Sequence, residues 1–125
     1  SVPAPVPALP DLAGDVRPLL QRLADVEGLD VRQAMRCVGG QLPILRRLLD
    51  RFVTTYQQGA GELDAHAAHS LRGACATATD LQAALVHYES CLAAGIDVGE
   101  LRQQADLIHA SLLALTASLR SELDR

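Results

Sequence analysis

His69 and Arg72 are the residues whose types and spacing point most directly to chemistry. An imidazole with a pKa near ~6.5 is mostly an uncharged nucleophile at neutral pH. A guanidinium one helical turn away offers a planar fork of donors matched to phosphate oxygens. The pair suits acceptance of a phosphoryl group on a ring nitrogen and its later release, because an N–P bond is labile. Gly73 follows at once. Inside a helix it costs about 1 kcal/mol relative to alanine, and close approach by another surface would offset that cost. His66 makes an HxxH pair with His69, but two imidazoles one turn apart hold a metal firmly only with further ligands. The nearest approach to a Glu-x-x-His pair is Asp106-x-x-His109, so no metal site is expected. Neither a Ser/His/Asp set nor a Gly-rich phosphate loop accompanies the histidine, and autonomous kinase activity is not expected.

These residues lie in a segment that reads as a helix from Glu62 to about Ala78. At ~100° per residue, Leu63, Ala67, Leu71, Ala74 and Ala78 fall within a sector of about 80°, the expected core stripe. His69 falls on the opposite, solvent face, with Ala65, Arg72, Gly73 and Ala76 around it and His66 at its edge. A histidine ringed by small residues is a surface that a partner can approach closely.

The remaining elements follow from caps and breakers. Residues 15–26 read as a first helix, with Asp15 as cap and Pro18 tolerated in its first turn. Asp30, with Gln33 three residues on, opens a short helix to about Val38. Gly39-Gly40 breaks the chain before a helix from Leu42 to about Gln57, whose inner side carries Leu45, Leu48, Leu49 and Phe52. Thr79 with Gln82 caps a helix that runs to Ala94 and stops at Gly95. Asp97 with Glu100 opens the last helix, which continues close to Arg125 with leucines at 101, 107, 112, 115 and 119. The expected fold is all-α: an antiparallel four-helix bundle preceded by one or two short helices. One boundary rests on Thr79 alone. Without that cap, residues 62–94 would form a rod of roughly 50 Å that favours a swapped partner.

The string Ala68-His69-Ser70-Leu71-Arg72-Gly73-Ala74 resembles the signature of histidine-containing phosphotransfer (HPt) domains. The stretch from Asp30 through Gly39-Gly40 and Leu48-Leu49 to Phe52 looks like the family's lead-in, and Leu81 to Glu89 resembles its next helix. The resemblance covers roughly residues 12–95. It implies a helical bundle that relays phosphate between receiver-domain aspartates, often at the C-terminal end of a hybrid sensor kinase. His69 would be the phosphoacceptor. Arg72 would stand in for the family's lysine, and Gly73 would give the receiver room. Ala65, His66, Gly73 and Ala76 would lie on the docking face. Mg²⁺ would sit on the receiver, and the domain would carry no cofactor of its own. Two features depart from the family: Thr79 stands where a glycine usually closes the next turn, and the segment from Phe52 to His69 is some ten residues short.

Composition narrows the rest. The chain has 125 residues, 49% of them apolar, enough for one domain with a core. Leucine (22) and alanine (20) dominate, and Phe52, Tyr56 and Tyr88 are the only aromatics. The net charge of −4, with eleven arginines and no lysine, argues against nucleic acid as a partner. Cys37, Cys75 and Cys91 form no CxxC and suit a reducing cytoplasm. Cys75 and Cys91 read as core or boundary residues, and His87 and His109 as partly exposed, satisfied histidines. No apolar run approaches the ~18–20 residues that span a bilayer, so direct membrane contact is not expected. Prolines at 3, 5, 7 and 10 mark residues 1–11 as a linker, with the domain over 12–125. A monomer is expected, with receivers and an upstream kinase, in the same chain or a separate one, as partners. The alternative is a helical docking bundle with no phosphotransfer.

Overall fold

A computed structural model describes residues 17–125 as six helices, with no strand among them: α1 (Leu19–Ala24), α2 (Val31–Cys37), α3 (Leu42–Tyr56), α4 (Ala65–Ala74), α5 (Thr79–Ala94) and α6 (Val98–Leu123). The fold is all-α. The proline-rich stretch and the Asp15 cap lie outside the described residues. Pro18, expected inside the first turn, is instead the N-cap of α1 in extended conformation. The helix stops at Ala24, short of the expected end, where the chain tightens into i→i−3 bonds from Asp25 and Val26.

Capping chemistry explains most boundaries. Asp30 accepts from the Gln33 amide at 3.0 Å and starts α2. Its own N–H goes not to the Gln33 side chain but to the Thr77 carbonyl at 2.8 Å, which ties α2 to the α4–α5 turn. Asp97 accepts from Glu100 N and opens α6. Gly95 closes α5 in the left-handed region (φ 68°) that L-residues avoid.

Helix α6 is the centre of the packing. It lies against α1, α3 and α5, while α4 packs mainly on α5. Leu112 and Leu119 of α6 are fully or almost fully buried with Leu23, Val53, Leu71 and Leu85, each such side chain contributing roughly 1.5–3 kcal/mol. Among the α6 leucines, Leu107 is 70% exposed, and the neighbouring Ile108 takes the core position. On α3 the buried row is Leu45, Leu49 and Val53; Leu48 is turned outward and Phe52 is only partly buried. Polar ties lock the α1–α3–α6 side. The buried Arg22 guanidinium donates to the Glu122 carbonyl and side chain, Arg46 donates to the Leu123 carbonyl, and Arg120 pairs with Asp50 at 3.0 Å.

Candidate functional site

Helix α4 begins later and ends earlier than the apolar pattern suggests. Asp64, not Glu62, is its cap, accepting from Ala67 N at 2.8 Å. At the other end Cys75 N bonds back to Leu71 and Arg72, and Ala78 N to Cys75, forming a turn over 75–77. Residues 62–94 are therefore two helices and not a rod. The turn forms without a glycine, and Thr79 does not cap it. Ala78 holds the N-cap position with no side-chain bond, and Thr79 is already helical. The Gln82 amide, freed from a capping box, donates to the Arg72 carbonyl at 3.4 Å across the hairpin. A second bond fixes the opposite end: the Tyr88 hydroxyl donates to the Leu63 carbonyl at 2.8 Å, fully buried. Burial, reinforced by the Glu62 and Asp64 carboxylates, pushes the Tyr88 phenol up and keeps it a donor.

The core face of α4 is rotated by one residue from the expected stripe. Ala68, Leu71 and Cys75 are buried with Leu63 and Ala78, whereas Ala67 is only partly covered and Ala74 is exposed. His69 remains on the outer face, its side chain 67% exposed. Ala65, His66 and Gly73 are exposed on the same helix. Ala76 is exposed too, but in the turn beyond the helix end. A Cβ added at Gly73 would meet no atom within 4 Å, so the glycine opens space above the surface instead of solving a packing problem beneath it.

The ring of His69 is not free-standing. Arg72 Nη2 lies 2.9 Å from His69 Nδ1, and Glu89 Oε1 of α5 lies 3.3 Å from the same nitrogen. Arg72 Nε and Glu89 Oε2 are 2.8 Å apart. That contact is a charge pairing whose N–H does not align on the oxygen, leaving the buried Oε2 without a hydrogen bond. Two side chains thus converge on one ring nitrogen. The other nitrogen, Nε2, has no contact of this kind. A shallow cleft beside the ring is lined by His69, Arg72, Gly73, Gln82 and Val86. Its remaining walls are uncharged, so Arg72 and Glu89 set its electrostatics.

Glu89 has no role assigned in the sequence reading. An acid on the next helix is visible there, but its facing depends on the hairpin register, which the Thr79 boundary left undetermined. The other histidines lie elsewhere. His109 Nδ1 donates to the Ala105 carbonyl at 3.0 Å, and His87 Nε2 sits 3.6 Å from Cys91 Sγ. Among the described residues, no three His, Cys, Asp or Glu side chains come together as a metal site, and no helix is long and apolar enough to cross a membrane.

A second concavity adjoins the site. An apolar groove of about 500 Å³ runs between α3 and α4, lined by Leu48, Phe52 and Tyr56 on one side and Gly73, Ala74 and Ala76 on the other. It exists because the α4 side chains facing α3 are too small to reach across. Phe52 and Tyr56 stack obliquely on its wall, ring centroids 5.3 Å apart. Comparison with known protein families, curated proteins and solved structures gives no match.

Proposed function

We propose that this protein is a phosphorelay intermediate that accepts a phosphoryl group on His69 from a receiver-domain aspartate and passes it to another receiver. The observation that carries this reading is an exposed imidazole whose Nδ1 is engaged by Arg72 and Glu89, on a helix face where Gly73 leaves open space. In this reading α3 to α6 form an antiparallel four-helix bundle that holds α4 with its outer face clear. A phosphorylated receiver docks over Ala65, His66, Gly73 and Ala76. The His69 Nε2 lone pair attacks phosphorus, the N–P bond forms, the P–O bond to aspartate breaks, and the aspartate leaves as a carboxylate. Mg²⁺ on the receiver neutralises its own acidic pocket. Arg72 offsets the charge that arrives on the ring, and the Nδ1 proton stays on the ring, donating to Glu89. The relay operates in the cytoplasm, with a sensor kinase upstream.

Transfer from a phosphorylated receiver, with Mg²⁺, to the wild type and to His69→Gln tests this. Acid-labile, base-stable label on the wild type alone is expected, with both proteins equally folded. Label on both would overturn the choice of histidine. The apolar α3–α4 groove favours a second reading, a docking module that captures a partner helix without chemistry. No label on a folded wild type, with two or more receivers tested, would decide for it.

A further inference from the structure

We propose that Arg72 masks the His69 nucleophile in the resting protein and that Glu89 unmasks it when Arg72 is drawn away. The functional consequence rests on the phosphoacceptor reading, whereas the assignment of ring tautomers does not. A neutral imidazole carries one N–H and one in-plane lone pair. Arg72 can only donate and Glu89, as a carboxylate, can only accept, yet both approach the same nitrogen, Nδ1. One of the two contacts must therefore be unsatisfied at any moment.

The choice determines reactivity. If Nδ1 accepts from Arg72, the proton sits on Nε2 and the outward nitrogen has no lone pair for attack. If Nδ1–H donates to Glu89, Nε2 is free. The shorter contact, 2.9 Å to Arg72 against 3.3 Å to Glu89, favours the masked state in the resting protein. Glu89 is equipped for the other one. Its Oε1 lies 3.3 Å from Nδ1 and, as a carboxylate oxygen, is ready to accept a ring N–H there. Arg72 is paired with Glu89 through Nε, so its Nη2 arm can leave the ring by rotation while the ion pair remains. An acidic docking surface on the partner supplies the pull. One proton leaves Nε2 to water and one arrives at Nδ1, an exchange open to a ring this exposed. The nucleophile then exists only with a partner present, which suppresses phosphorylation by small donors. Arg72 and Glu89 act here as positioning residues, because each works through the ring.

Long-range ¹⁵N–¹H NMR of unphosphorylated protein near pH 8, where imidazole is neutral, reads the tautomer directly. The wild type and Glu89→Ala are expected in the Nε2–H form, and Arg72→Met in the Nδ1–H form. With phosphoramidate as a small donor, Glu89→Ala should label about tenfold more slowly than Arg72→Met. A wild type already in the Nδ1–H form, or no tautomer change in Arg72→Met, overturns the masking. Should the tautomers follow expectation while no receiver phosphorylates the wild type, the relay reading fails and the masking stands.

Discussion

Leu71 and His69 are two residues apart on one short helix, and the fold assigns them opposite energetic roles. Leu71 has no solvent exposure, whereas two-thirds of the His69 side chain is in water. Truncating Leu71 to alanine removes three carbon groups from the core, about 2.4 kcal/mol at ~0.8 kcal/mol each. Its buried neighbours on the same face, Ala68 and Cys75, are too short to close the space, so a cavity term of about 1–2 kcal/mol adds to this. The expected loss is therefore about 3–4 kcal/mol. For the roughly 110 described residues at ~2.1 cal/mol/K each, 1 kcal/mol corresponds to roughly 4 °C, so Tm should fall by roughly 13–17 °C. His69→Ala gives up only solvent-exposed contacts and should stay within about 0.5 kcal/mol. Urea and thermal melts followed by helical circular dichroism make the comparison. A Leu71→Ala loss below about 1 kcal/mol, or an equal loss for His69→Ala, would refute the facing of α4 on which every functional argument depends.

Two further outcomes follow from single contacts. Tyr88→Phe strands the buried Leu63 carbonyl and should cost about 1–2 kcal/mol, read as a lower urea midpoint at unchanged slope; an unchanged midpoint would mean the bond is not maintained in solution. Burial pushes the Cys75 thiol from 9.0 up to about 12. Between those values the unfolded thiol ionises and the folded one does not, so stability should fall with rising pH across that window, by ~1.4 kcal/mol per unit. Cys75→Ala should flatten that slope; parallel pH profiles for the two proteins would contradict the burial argument.

Much of this architecture was legible in caps and glycines. Asp30, Asp97 and Gly95 act where the sequence places them, because each solves a local backbone problem without help from the tertiary fold. The outward position of His69 was legible too, since a one-residue phase error still leaves it far from the core. That error was real: Ala67 and Ala74 were expected inside, whereas Ala68 is buried there beside Cys75, which was read as core or boundary. In a segment of alanines, periodicity cannot distinguish neighbouring stripes, and the tertiary packing of Leu71 and Cys75 decides between them. Thr79 failed as a cap because the turn is held from outside, by the Asp30 N–H on the Thr77 carbonyl. Glu89 was invisible for the same reason. Its meeting with His69 depends on a register that long-range bonds from Gln82 and Tyr88 set.

The uneven packing around α6 has a dynamic consequence. A helix gripped on three sides opens only when the whole domain unfolds, whereas α4 rests mainly on α5 and faces a groove on its other flank. Its amides belong to a less protected cooperative unit, one that can loosen and reclose while the α1–α3–α6 framework persists. The helix that carries His69 can therefore adjust at a local cost, without drawing on the stability of the whole fold.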